Sequence, residues 1–132
     1  MKKGTILFFT LIFFLFACSE EDQPKEKKPE SLVEIVDGVY TEYYPGRKAI
    51  KFQGTLDKEN KRDGKWVFFS PNGNDLSVTH YNHGLKDGHT IVKHPNGALF
   101  YYGEYQNDKK VGVWKTYDTK GKLLREENFD SL

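Results

Sequence analysis

The 132-residue chain is predicted to be all-β: a single-layer antiparallel meander of about four tandem β-hairpin repeats, preceded by a signal helix and a disordered tether. Three observations carry this prediction. Glycines recur at a step of 24 residues, Gly64, Gly88 and Gly112 in one series and Gly73, Gly97 and Gly121 in another. Segments rich in strand-favouring residues, such as Lys65 to Phe69, end at turn-forming tetrapeptides. Mean hydropathy is −0.70 while 15% of residues are aromatic, which fits many short, half-exposed strands better than a helical bundle.

Residues 1–17 read as a leader rather than as part of the fold. Lys2 and Lys3 precede an apolar run from Ile6 to Ala17, 12 residues broken only by Thr10. A helix crossing the hydrocarbon core needs about 20, so a secretory signal is expected rather than a transmembrane anchor. The run ends Leu15-Phe16-Ala17-Cys18, which resembles the lipobox of bacterial lipoproteins. That resemblance implies diacylglyceryl attachment to Cys18, cleavage before it and acylation of the new amine by a palmitate-type chain. Two or more acyl chains give stable anchoring. The following Ser19-Glu20-Glu21-Asp22 resembles the signal that sends Bacteroidetes-type lipoproteins to the outer face of the outer membrane. The alternative is a hydrophilic tether facing the periplasm.

Residues 18–32 form the expected tether. Ser19 to Ser31 contains two prolines and no apolar side chain, so it has no surface to bury against its ordering entropy. Without the leader, 18 bases face 19 acids over 115 residues. No basic field for nucleic acid and no polybasic segment for anionic headgroups is present.

The repeat domain is expected over 33–132, in units near 38–63, 64–87, 88–111 and 112–132. Gly64-Lys65-Trp66 lies over Gly112-Val113-Trp114, and Ser70-Pro71-Asn72-Gly73 over His94-Pro95-Asn96-Gly97. Tyr81, Tyr105 and Phe129 keep the same step. The first copy places Tyr40 at the Trp66 position, with Pro45-Gly46 in its turn; it is 26 residues long, its turn one residue shorter and its later part three longer. Pro at the second and Gly at the fourth turn position suit a type I turn followed by a bulge. The repeat glycines as a group are expected at hairpin corners. Eight strands would span roughly 34–38 Å. Only Ser31 to Val36 leaves room for a helical turn. Alternation places Trp66 and Phe68 on one face with Val67 and Phe69 on the other, and Tyr101 and Tyr105 opposite Phe100 and Tyr102. Both faces are then aromatic, with no second layer left to cover either.

The pattern Gly-x-Trp-x-x-Tyr, Asn-Gly, Tyr-x-x-Gly-x-x-x-Gly resembles the MORN repeat. It is closer to the bacterial MORN-variant repeat of proteins grouped as YwqK-type antitoxins. Gly64, Trp66, Phe69, Gly73, Tyr81, Gly84 and Gly88 carry the likeness in one copy, and Gly97, Tyr105, Gly112, Trp114, Tyr117 and Gly121 further on. Thr90 in place of Trp, Lys93 in place of the following ring, and Asp108 in place of Gly depart from it. The resemblance implies a non-enzymatic hairpin array that associates with proteins or membranes, without cofactor. The antitoxin label is analogy alone.

Candidate binding or packing aromatics are Trp66, Tyr81, Tyr102, Tyr105, Trp114 and Tyr117, with Tyr44 and Tyr102 expected to be the more exposed. Rings of this kind serve either as cross-strand props or as interface anchors. His80, His83, His89 and His94 fall within 15 residues, but strand parity separates His89 from His94, and no metal site is expected. No catalytic residue is expected either: Cys18 is assigned to lipid and no Gly-x-Ser-x-Gly elbow occurs. Two functions follow as expectations: a membrane-anchored module binding a protein or an envelope polymer, or an immunity protein that blocks a toxin sterically.

Overall fold

The computed structural model describes residues 31–130. The expected leader, Cys18 and the tether as far as residue 30 lie outside the described residues. Within them the chain forms nine strands: β1 (Val33–Val36), β2 (Val39–Tyr43), β3 (Ile50–Leu56), β4 (Arg62–Phe69), β5 (Asp75–Asn82), β6 (Leu85–Lys93), β7 (Leu99–Gln106), β8 (Lys109–Tyr117) and β9 (Leu123–Asn128). They pair antiparallel in chain order as one sheet. At about 4.8 Å per strand the outer strands lie about 38 Å apart.

The sequence-based expectation of eight strands is corrected to nine. Val33 to Val36 is not a helical turn but the edge strand β1, paired with β2 from Val33 opposite Glu42 to Val36 opposite Val39. Three of its four residues are β-branched, and Asp37-Gly38 supplies two consecutive left-handed residues (φ 49° and 77°). These are the backbone angles a two-residue hairpin needs.

Two kinds of turn alternate. At one end of the sheet are five-residue turns, in which Ser70 N–H donates to Asn74 O (2.8 Å), His94 to Ala98 (2.8 Å) and Asp118 to Lys122 (2.9 Å). At the other end, two-residue turns at His83-Gly84 and Asn107-Asp108 have both residues left-handed. Asp108 therefore keeps the conformation of Gly84 despite its side chain (φ 65°), and its carboxylate accepts the Lys86 N–H at 2.7 Å. Asp is among the few residues with a side chain that enter this region, and here its carboxylate and main-chain N–H both bond Lys86 of the neighbouring strand β6. In the first copy the turn after β2 is one residue longer than the turn after β4, not shorter, because Tyr43 pairs with Ile50 where Phe69 pairs with Asp75. The β3–β4 loop is three residues longer than the β5–β6 turn, but β3 and the start of β4 are each one residue shorter than their counterparts, so the later part of the first copy is one residue longer rather than three.

Gly64, Gly88 and Gly112 are not hairpin corners. They lie inside β4, β6 and β8, at breaks in the register where the strand carries extra residues against its neighbour. Their φ values of 71°, 100° and 63° are those of a bulge that only glycine enters without strain. The bulge and the turn use the same conformational freedom, so glycine spacing alone does not distinguish them.

The core lies on the sheet rather than between layers. Trp66 and Trp114 are 4% and 5% exposed and are the buried hydrophobic residues among those described. Each indole lies flat on the preceding strand. A Cβ on Gly54 would fall within 3.0 Å of the Trp66 ring, and one on Gly103 within 3.0 Å of the Trp114 ring. Trp66 Nε1 donates to Thr55 O at 2.9 Å, and Trp114 Nε1 to Glu104 O and Val111 O at 3.2 Å. The indole N–H is thus satisfied by the main chain it covers.

In the third unit Thr90 takes the tryptophan position and Thr79 the glycine position. Their hydroxyls bond at 2.8 Å, and Thr90 is 3% exposed. Gly103→Ala is expected to destabilise the fold by about 1–3 kcal/mol, the scale of overpacking a close contact. Trp114→Ala should cost about 3–5 kcal/mol. Urea unfolding of both variants checks the pair. A loss below about 0.5 kcal/mol for Trp114→Ala would mean that the ring does not hold the sheet.

Candidate functional site

Cross-strand partners share a face, so the register sorts the side chains. Tyr40, Gly54, Trp66, Thr79, Thr90 and Gly103 form one continuous row, joined by Trp114 over Gly103. Thr41, Gln53, Val67, Val78, Ile91, Tyr102 and Lys115 form the corresponding row of the other face.

The six candidate aromatics are consequently not one cluster. Trp66, Tyr81, Tyr105 and Trp114 lie on the first face. Tyr81 stands edge-on to Trp66 (6.3 Å, 71°), Tyr105 edge-on to Trp114 (4.9 Å, 79°), and Phe129 likewise to Trp114 (6.2 Å, 76°). Tyr102 and Tyr117 lie on the second face and stack on each other (6.3 Å, 19°). Burial raises the Tyr117 phenol pKa, and neighbouring Tyr102 adds to that. Burial likewise raises that of Tyr101. Tyr44 and Tyr102 are half-buried, and Tyr44 Oη donates to Phe69 O at 2.8 Å. Exposed apolar side chains on the second face include Val36, Ile91, Phe100 and Val113. Cys18 is outside the described residues.

One set of residues escaped the reading of the sequence. Arg62, Lys86 and Lys110 sit at the same 24-residue step as the glycines. Arg62 lies over Trp66 (4.5 Å) and Tyr81 (5.3 Å), Lys86 over Tyr105 (4.8 Å), and Lys110 over Trp114 (4.3 Å) and Phe129 (5.2 Å). A cation over a ring contributes about 0.5–1 kcal/mol at exposed sites. Their signal in the sequence is the same 24-residue step that the glycines and rings keep.

Three of the four histidine side chains take separate local roles, and His89 takes part through its main-chain carbonyl. His80 Nδ1 donates to His89 O (3.1 Å), His94 Nε2 to Tyr117 O (2.9 Å), and His83 Nδ1 meets Asp57 Oδ2 (2.8 Å). Among the described residues no group of three or more His, Cys, Asp or Glu is placed to hold a metal. Asp63 and Asp87, which precede repeat glycines, accept main-chain N–H groups from His83 and Asn107 in the facing turns (both 3.4 Å). The depression lined by Ala49, Ile50, Phe69 and Pro71 holds one ionisable side chain, Lys48.

These features define a class: a single-layer β-repeat protein whose polar groups serve turns and whose rings serve strand packing. Residues 110–131 match the family described as MORN repeat variant, a segment that covers β8 from its second residue, β9 and the turn between them. That supports a MORN-variant repeat in this chain. No curated protein matches it.

The His83–Asp57 pair ties the β5–β6 turn to the longer β3–β4 loop. Its hydrogen bond to Asp57 raises the His83 pKa above the ordinary 6.5. The Lys61 main-chain N–H, followed by His83, lowers that of Asp57 below 3.8. A raised histidine contributes stability that is present below its unfolded value and lost as pH rises through the folded one. A depressed carboxylate contributes above its unfolded value and loses it as pH falls through the folded one. His83→Asn should therefore lower the melting temperature most between about pH 4 and 6.5, with the gap from the parent closing on the alkaline side. Equal gaps at pH 5.5 and 9 would show that the pair does not couple loop and turn.

Proposed function

We propose that this chain is an exported, lipid-anchored, non-catalytic binding module that presents its sheet surface to a protein or polymer of the bacterial envelope. The observation that carries the non-catalytic part is the occupation of the repeat residues. Tryptophans lie on glycines, aspartates bond turns, histidines meet main-chain carbonyls or Asp57, and residues 110–131 match a repeat family of generally non-enzymatic proteins. The anchoring rests on Leu15-Phe16-Ala17-Cys18 at the end of a 12-residue apolar run. The outer-membrane location rests on Ser19-Glu20-Glu21-Asp22. A nearly balanced charge leaves lipid as the means of attachment.

Cys18→Ser should release the protein from the membrane fraction into the soluble fraction of the envelope. Retention in the membrane would overturn lipid anchoring. Pull-down of the anchored protein from its native envelope should recover a partner. A toxin among the captured proteins would favour the steric immunity reading instead, and no partner at all would count against a binding module.

A further inference from the structure

Along the two-residue-turn end of the first face, cations and rings alternate across successive strands. Arg62, Tyr81, Lys86, Tyr105, Lys110 and Phe129 lie on β4, β5, β6, β7, β8 and next to the end of β9. Lys86 is the register partner of Tyr81, and Lys110 that of Tyr105. Each cation also lies over the ring that follows it, at 5.3, 4.8 and 5.2 Å. The rings stand at 71–79° to the indoles beneath or beside them, so they form walls between cations rather than flat platforms. Among the described residues none of the three cations makes an ion pair, whereas Lys51, Lys93, Lys115 and Arg125 do.

We propose that this row binds an extended acidic polysaccharide that carries a carboxylate on every second sugar. The proposal rests on the reading of the domain as a binding module and names its ligand class. Strands about 4.8 Å apart place cations on alternate strands about 9.6 Å from one another. Side chains on one side of an extended peptide repeat at about 7 Å. Phosphates of a duplex strand advance about 3.4 Å per nucleotide along the helix axis and wind away from a flat row. Neither falls into step with the row. One pyranose residue lengthens a glycan by about one inter-strand spacing, so alternate carboxylates meet alternate strands. The intervening sugars then sit between these ring walls, against Tyr81 and Tyr105, whose phenol hydroxyls (that of Tyr81 also accepting from Arg62 Nη1 at 3.2 Å) match a ligand rich in hydroxyls. With 18 bases against 19 acids once the leader is removed, spacing rather than overall attraction is the source of selectivity.

Isothermal titration of the full-length protein with a hyaluronan octasaccharide, which carries its carboxylate on alternate sugars, tests this. Binding should be measurable and should weaken with added salt. Lys86→Gln should weaken it about tenfold and Lys86→Gln with Lys110→Gln about a hundredfold. Lys86→Arg should stay within about twofold of the parent, and unchanged far-ultraviolet circular dichroism separates loss of contact from loss of fold. Absence of hyaluronan binding would overturn the proposal. So would binding indifferent to Lys86→Gln, or equal affinity for poly-glutamate, oligothymidylate or anionic lipid vesicles. If hyaluronan fails while the anchored protein still captures an envelope partner, the ligand class falls and the binding module stands. If both fail, both fall.

Discussion

The sheet depends on two tryptophans lying flat on two glycines. Without a second layer, a single sheet has nowhere to bury a large side chain except on its own neighbouring strand. Main-chain pleats are shielded there only if the strand beneath offers no Cβ. Gly54 under Trp66 and Gly103 under Trp114 meet that condition. An aromatic of this size buries roughly 150–250 Å², and at about 25 cal/mol/Å² each indole contributes on the order of 4–6 kcal/mol before entropy. Because the other described rings are at most half-buried, that is a large share of the stabilisation available. The remaining rings extend it sideways: Tyr40 reaches Trp66 at 5.3 Å, and Tyr101 and Tyr105 reach Trp114 at 5.9 and 4.9 Å.

The meander was legible in the sequence because a 24-residue step fixes both strand alternation and turn chemistry at once. Ser70-Pro71-Asn72-Gly73 and its equivalents carry their turn type in their residues, and the sheet follows from repeating them. Less legible was anything that depends on two strands meeting. Gly54 belongs to neither glycine series, and its role appears only when β3 is laid beside β4. The bulges at Gly64, Gly88 and Gly112 were hidden for a different reason, since glycine answers to positive φ in a strand as well as in a turn. β1 was obscured by its brevity: four residues give too short a window to separate period 2 from a helical turn. The aromatic candidates were visible as residue types, but their division between two faces, with Tyr102 and Tyr117 opposite Trp66 and Trp114, needed the register.

A one-layer sheet also determines what kind of surface the protein offers. Each strand's neighbours are the strands before and after it in sequence, so the array behaves as a line of units, each stabilised by the next. Ligand contacts on such an array follow the strand spacing rather than the walls of a cleft. The cations at Arg62, Lys86 and Lys110 illustrate this. A single cation over a single tyrosine is a minor local contact, but three in register make a ruler with a fixed interval. The second face has no such periodic charge; Val67, Ile91 and Lys115 occupy one step of the repeat and differ in chemistry.

The Thr79–Thr90 pair shows that the tryptophan and its glycine act as one unit of design. Where β6 lacks the indole, β5 lacks the glycine, and two hydroxyls bonded at 2.8 Å fill the space instead. Restoring tryptophan at residue 90 alone would drive the ring onto the Thr79 side chain, while glycine at residue 79 alone would leave the Thr90 hydroxyl without its closest side-chain partner. On the first face the sheet is thus two indole-covered halves, β2–β5 and β6–β9, joined at the polar Thr79–Thr90 seam. Because neighbouring units stabilise one another only through direct contact, this seam is where the two halves are coupled least by ring packing. Its register still has to hold there, since Lys86 on one side of the seam stands opposite Tyr81 on the other. The spacing of the cation row across the whole sheet therefore depends on main-chain pairing at β5–β6 more than on any side chain.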